Sequence, residues 1–384
     1  MSTNNPIAVF LIVSLFVISC IDPFDVKVPS SEIDGSLVVD AVLQRESAVH
    51  EIILSRPASI NQNSGYIRVS DAKVEILDSQ NNCFVFNETS KGRYSVDSAI
   101  FKPQFGMSYS LVIKLPNGEI YESEEENFVE VDPIDSVWVK PEKFSFVAGS
   151  NVIEGDIVNV YTNIFTTEKT IYDQYEYEGT FGFESVYQGS EACDEFGPIG
   201  HSPREDLVCF RTETVDLPLN IISAENLKKD QNVAQNILSI FPDRRFFIGY
   251  SLLIKKKRLS ENYFQYLDEI KTQNEVQGSL FDPPPSPIVG NIRNVQNRDI
   301  EALGFFALLS ETTKRIFISK EILRAEINRF DFTNCSDNFD EFNSLNPEAI
   351  VLEQNVRRPD PTCCDCRLVP GATDQIPEFF PPLD

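Results

Sequence analysis

The chain has 384 residues, with 33 Lys or Arg against 59 Asp or Glu, and a formal net charge of −26. A charge of that size repels phosphate backbones and excludes nucleic-acid binding. Apolar residues make up 42 %, including 29 Phe and 12 Tyr, which excludes a disordered chain and suffices for two or three domains.

The amino-terminal run Ile7 to Ile18 is the long apolar stretch of the chain. It falls short of the about 20 residues of a spanning helix and has the length of a signal-peptide core. Val17-Ile18-Ser19-Cys20 ends it as a lipobox: apolar residues, a small residue, then a cysteine. Residues 1–19 are therefore expected to be a lipoprotein signal peptide, although Met1 to Pro6 lack the usual basic residue. Cys20 would be acylated, and several acyl chains give stable anchoring because each buried CH₂ is worth about 0.8 kcal/mol. The alternative is an ordinary signal peptide cleaved near a cysteine. Residues 20–34, with Pro23, Pro29, Ser30 and Ser31, read as an extended tether.

Residues 35–130 read as a small β-sandwich. Strand-like runs recur at Leu37–Leu43, Glu51–Ser55, Ala72–Leu77, Cys83–Asn87, Arg93–Asp97, Tyr109–Leu115 and Glu119–Ser123, separated by turn residues. Tyr109, Leu111, Ile113 and Leu115 share one face, as do Ala72, Val74 and Ile76. Asn117-Gly118 signals a hairpin, since both residues tolerate positive φ.

Residues 131–330 read as a second β-rich domain with a helical insertion. Strands are expected at Asp156–Phe165, Phe181–Tyr187 and Phe246–Ile254, the last ending in the basic run Lys255 to Arg258. That run is read as a solvated strand end, with docking of an acidic partner as the alternative. Tyr172, Tyr175 and Tyr177 are read as hairpin core and rim rather than a carbohydrate platform. Ser260 can cap a helix through Ile270, with Tyr263, Phe264, Leu267 and Ile270 on one side. Phe281 to Pro287 is a stiff extended loop. Leu303–Leu309 and Arg315–Ser319 read as a hairpin joined by Ser310 to Lys314.

Residues 331–384 are low in periodicity and read as a disulfide-held tail. In an exported protein, Cys193, Cys209, Cys335, Cys363, Cys364 and Cys366 make an economical set of three disulfides. Cys193 is expected to pair with Cys209, and two bonds fall to the others, with Cys335 taking one of the three clustered cysteines. A zinc site is the alternative, but a C-C-x-C cluster fits paired C-x₂₋₄-C spacing poorly. Cys83 would be a free buried thiol. No metal, cofactor or catalytic set is assigned. His50 and His201 lie in no nucleophile motif, and Asp337, Asp340 and Glu341 follow no EF-hand loop.

Several fragments carry a resemblance when taken in order. They are Ser19-Cys20-x-Asp22-Pro23-Phe24, Leu37 to Asp40, Leu54-Ser55-Arg56, Val69 to Ile76, Gly92-Arg93-Tyr94, Gly106-x-x-Tyr109-x-Leu111 and Ile134-Asp135-Ser136. Further on come Gly278-x-Leu280 to Pro284, Gly290-Asn291-Ile292, Gly304-Phe305-Phe306, Lys314 to Ile318 and Cys363-Cys364-Asp365-Cys366. The ordered set resembles a Bacteroidota cell-envelope lipoprotein family, domain of unknown function 4249 (DUF4249). The resemblance implies a mainly β protein whose first sandwich is transthyretin- or carboxypeptidase-regulatory-like. It also implies an outer-membrane lipoprotein, facing the cell surface, whose genes tend to accompany TonB-dependent receptors. It carries over no catalytic residue.

The expected function is that of an accessory or binding subunit of an outer-membrane β-barrel complex, such as a TonB-dependent transporter or the barrel-assembly machinery. The alternative is a stand-alone solute- or glycan-binding lipoprotein. No enzymatic activity is expected.

Overall fold

The computed structural model describes residues 36–58, 65–148, 151–165, 171–188, 207–225, 231–276, 288–298, 300–323 and 360–382. Among them the protein is mainly β, with one α-helix. The first strands are β1 (Val38–Gln44), β2 (Val49–Pro57), β3 (Tyr66–Arg68), β4 (Lys73–Asp78), β5 (Cys83–Ser90), β6 (Arg93–Asp97), β7 (Ser108–Lys114), β8 (Ile120–Ser123) and β9 (Glu126–Asn127). Then come β10 (Val137–Ala148), β11 (Asn151–Phe165), β12 (Tyr172–Phe183), β13 (Cys209–Thr214), β14 (Ile221–Ser223), β15 (Asn232–Ile240) and β16 (Tyr250–Arg258). Helix α1 (Glu261–Val276), β17 (Ile292–Asn294), β18 (Leu303–Ile318) and the short β19 (Ala372–Thr373) follow.

The period-two runs of residues 36–128 fold as two facing layers. β5 changes layer along its length: its first half pairs with β4 and its second half with β6. Val39, Leu54, Val74, Ile76, Tyr94, Tyr109, Leu111 and Ile113 fill the space between, each at most 2 % exposed. The Asn117-Gly118 turn joins β7 to β8 as expected, with Gly118 at φ 91°. Later chain completes this sandwich. β17 adds to the β8 edge, and the start of β18 lies parallel beside β1, Val38 opposite Leu303 through Gln44 opposite Leu309. The partition at residue 130 is therefore crossed twice.

β18 corrects the expected hairpin at 303–319. It is one 16-residue strand, and Ser310 to Lys314 continue it. Its first half pairs with β1 and its second half with β16, antiparallel. Phe306 and Leu308 enter the core of the first sandwich. Phe305, Ala307 and Leu309 enter another cluster, against Tyr263 and Leu267 of α1. A segment buried on both faces reads as an unbroken apolar run, which hides its periodicity. Gly304 sits at φ 101°, and a Cβ there would lie 2.0 Å from the Val39 carbonyl oxygen, so the parallel approach of β1 requires glycine.

Beyond β18 the sheet continues through β16, β12 and β13 to β19. The three-stranded sheet β10-β11-β15 faces it, and Val158, Val160, Leu238 and Ile240 meet Tyr175, Tyr177, Phe181 and Leu252. Tyr172, Tyr175 and Tyr177 are all buried, so these rings are packing groups. The strand expected at Phe181–Tyr187 is β12, which begins at Tyr172 and ends at Phe183. The strand expected at Phe246–Ile254 is β16, displaced toward the C-terminus: Arg244–Phe246 form a 3₁₀ turn capped by Asp243. Ser260 caps α1 as expected, its Oγ accepting from the Tyr263 N–H at 3.2 Å.

The displacement of β16 places Lys255 to Arg258 inside a central strand, which corrects their reading as a solvated end. Lys255 pairs with Glu178, and Lys257 pairs with Glu176 at 2.6 Å. Arg258 is a buried hub: Nε donates to Asp173 at 2.8 Å, Nη2 to Asp132 at 2.7 Å and Nη1 to the Glu130 carbonyl at 3.4 Å. Ser310 Oγ donates to the Val129 carbonyl, and Lys314 Nζ to the Asp135 carbonyl. Segment 129–135, which leads from the first sandwich to β10, is thus tied across β16 and β18 by three side chains.

A second polar junction holds α1 to the first sandwich. Glu126 of β9 is 2 % exposed and accepts from Asn291 Nδ2 at 3.1 Å. Asn291 also exchanges two hydrogen bonds with the Phe306 backbone, each 2.9 Å, and the Ser260 hydroxyl bonds Glu126. Burial raises the Glu126 carboxyl to about 7. Its partners soften that shift, and Glu124 adds to it.

Two outcomes follow from these contacts. Arg258→Ala leaves Asp173 buried without its cation and is expected to cost about 3–5 kcal/mol, read as a fall in the urea midpoint. Glu126 holds its proton in the folded state up to about pH 7, whereas the unfolded chain releases it near 4.5. Its contribution is complete below pH 4.5 and is lost as pH rises through 7, about 3 kcal/mol in all. Melts at pH 5 and pH 8 should therefore show a smaller pH 8 deficit in Glu126→Gln than in the unaltered protein.

Candidate functional site: a tail-walled cup and an aromatic sheet face

The sequence-derived site residues separate into three groups. Cys20, Cys193, Cys335, His201, Asp337, Asp340 and Glu341 lie outside the described residues. Cys209 and Cys366 come together as a disulfide spanning 157 positions, which corrects the expected Cys193–Cys209 pair and the pairing of Cys366 within the C-terminal group. Adjacency along the chain misled here. The tail adds β19 to the edge strand β13, Phe210 opposite Thr373 and Arg211 opposite Ala372, and this carries Cys366 to Cys209. Cys363 and Cys364 are also disulfide-bonded. These bonds leave no thiolates for the zinc alternative.

Local chemistry shapes the cysteine cluster. Asp360 caps the turn Pro361–Cys363, and Asp365 caps the turn Cys366–Leu368. Asp365 is 2 % exposed and takes Arg367 in a two-pronged pair, Nε to Oδ1 at 3.0 Å and Nη2 to Oδ2 at 2.8 Å. That guanidinium holds the Asp365 carboxyl below its ordinary range. The carbonyls of Thr362 and Cys363 accept from Ser185 Oγ and the Tyr187 N–H.

Cys83 is free as expected, but exposed rather than buried. Its Sγ donates to Glu75 at 3.2 Å. Local desolvation of the sulfur, then the hydrogen bond and charge of Glu75, push its pKa up, which makes it a poor nucleophile. His50 is 1 % exposed, packs edge-on to Phe101 at 5.4 Å, and neither ring nitrogen has a hydrogen-bond partner. Burial lowers its pKa, so it stays neutral. Among the described residues no group of three or more His, Cys, Asp or Glu could hold a metal ion.

The tail does build a concavity of about 460 Å³. Phe247 and Ile248 precede β16, Val208 precedes β13, and Phe317 ends β18; Phe380, Pro381 and Pro382 of the tail close the cup. Phe380 packs edge-on against Phe210 at 4.9 Å and Phe317 at 5.1 Å. Next to it the Arg315 guanidinium lies 3.7 Å over the Phe379 ring. Two glycines make room. A Cβ on Gly249, at φ 142°, would meet Phe317 Cζ at 2.4 Å, and one on Gly182 would meet Ile248 Cγ2 at 3.1 Å. Glu184, Ser319, Lys320 and Glu321 form the rim. Sequence reasoning missed this site, because its walls come from five distant segments and Phe317 had been assigned to a hairpin.

The second feature is the outer face of β10-β11. The pairs run from Val137–Thr162 to Ala148–Asn151, whereas β15 covers β11 only from Val158 to Phe165. The distal part is a two-stranded ribbon. On the face turned away from Val158 and Val160, Trp138 stacks on Tyr161 at 5.7 Å and is 37 % exposed. By register the same face carries Lys140, Glu142, Asn159 and Ile157, with Glu142 paired to Lys140 and accepting from Asn159 Nδ2 at 2.9 Å, and then the positions of Phe144, Phe146 and Ile153.

The tail contacts predict that Cys366→Ser will lower stability by about 2–4 kcal/mol. Limited proteolysis should then cut within 360–382 before it cuts β16.

A family model described as Domain of unknown function (DUF4249) matches residues 21–315. It ends within β18, so Phe317 to Glu321 and the tail wall of the cup lie beyond it. No curated protein matches the chain. The match covers well over half of the sequence, and the chain belongs to the DUF4249 family.

Proposed function

We propose that the protein is an outer-membrane lipoprotein, tethered through Cys20 and displayed at the cell surface, that acts by binding rather than catalysis as an accessory subunit of a β-barrel complex. A TonB-dependent transporter and the barrel-assembly machinery are the two candidate complexes. The observation that supports this reading best is the β10-β11 ribbon. A lone two-stranded ribbon is marginal in water. Here the face opposite its own core carries the stacked Trp138–Tyr161 pair beside Lys140, Glu142 and Asn159, and among the described residues the strand edges are free of β15 beyond Val158. Such a ribbon suits docking by strand addition or by aromatic anchoring at another protein's surface. Tethering to the same membrane raises the effective concentration, so modest contacts suffice. No helix among the described residues is long and apolar enough to cross a membrane. Attachment in this reading rests on the lipobox.

The test has two arms. Labelled palmitate should enter the unaltered chain and not Cys20→Ala, which should leave the envelope fraction. Tagged protein from detergent-solubilised envelopes should recover a barrel protein, and Trp138→Ala should lose it at an unchanged melting temperature. Labelling that is unaffected by Cys20→Ala, or recovery of no barrel protein, refutes the proposal.

A further inference from the structure

We propose that the tail-walled cup is a binding site for short hydrophobic peptides, seating an apolar side chain against Phe317 and Phe380 and holding the charged peptide ends at Lys320 and Glu321. This site is distinct from the β10-β11 face and does not depend on a barrel partner.

Three observations carry it. The first is size and lining: about 460 Å³ falls in the range of small-ligand sites, and the lining is mixed, with Phe, Ile, Val and Pro side chains beside a polar share at least as large, to which Glu184, Ser319, Lys320 and Glu321 belong. Such a lining suits a ligand that joins an apolar side chain to charged ends: the Phe, Ile, Val and Pro side chains gain from burying apolar surface, and the charged groups beside them can meet the ends. The second is the rim. Lys320 and Glu321 are exposed neighbours with no ion-pair partner among the described residues, in a protein whose internal cations are nearly all paired. One ammonium and one carboxylate beside an apolar cup match a zwitterion: the peptide carboxylate at Lys320 and its α-ammonium at Glu321. The third is construction. Gly249 and Gly182 leave the space in which Phe317 and Ile248 sit, and the tail wall is held by a disulfide, a strand pair and the bonds from Ser185 and Tyr187. The walls are set before any ligand arrives, which lowers the ordering cost of binding.

Calorimetric titration of the purified mature protein with the dipeptide Leu-Phe, and with the same dipeptide acetylated and amidated, tests the assignment. Saturable binding is expected for the free dipeptide. Blocking both ends should weaken it about tenfold, near 1.4 kcal/mol. Lys320→Glu is a surface change that leaves the walls intact and should weaken the free dipeptide by a similar factor without affecting the blocked one. Phe317→Ala should weaken both. Absence of saturable heat with the free dipeptide overturns the proposal, as does binding that Lys320→Glu and Phe317→Ala leave unchanged at equal melting temperature. Neutral oligosaccharides binding the cup more tightly than the dipeptide would also overturn it.

Discussion

One strand holds this molecule together. β18 gives its first half to the sandwich of residues 36–128 and its second half to the sheet built on β16 and β12. Side chains alternate along a continuous strand, so its two halves fix both pairing registers at once. The two cores therefore cannot shift along each other without breaking backbone hydrogen bonds. Segment 129–135 runs beside this strand, and Arg258, Ser310 and Lys314 tie it down. The chain thus leaves the first sandwich twice, through segment 129–135 and along β18, and both exits are bonded to the β16–β18 pair.

The charge distribution follows from this architecture. The protein is strongly acidic, yet its densest basic run lies in a central strand. Lys255, Lys257 and Arg258 are consumed by Glu178, Glu176, Asp132 and Asp173. Lys256 is 7 % exposed, and burial lowers its pKa. Internal pairing of this kind adds little net stability over apolar packing, but losing one member of it is costly. The outer surface keeps the excess of carboxylates. An acidic partner has no patch of free cations to meet on this strand.

The tail adds a second level of organisation. The family match stops at residue 315, before the end of β18 at Ile318 and before the cysteine cluster. The part of the chain beyond it contributes β19, the Cys366 half of the disulfide and the wall of Phe380, Pro381 and Pro382. The shared body carries the sandwich and the ribbon. The stapled end encloses a cup that the shared body alone leaves open on one side.

Local chemistry was sufficient wherever neighbours in sequence are neighbours in space. Seven of the nine strands between Val38 and Asn127, the Asn117-Gly118 turn, the Ser260 cap and the free state of Cys83 could be read from residue types, because period-two burial, positive φ and helix capping act over a few positions. Family membership was legible for the same reason, as an ordered set of short fragments. Decisions that join distant segments belonged to the tertiary structure. Leu303–Leu309 shows no alternation because both of its faces are buried. Lys255 to Arg258 look solvated because their carboxylates come from residues 132–178. Cys366 meets Cys209, and Phe380 meets Phe317, only because a short strand pairs the tail to β13. The sequence by itself determined the β character and the first core; which strands are shared, which cations are interior and which rings line a cup depended on long-range pairing, whose partners no local pattern specifies.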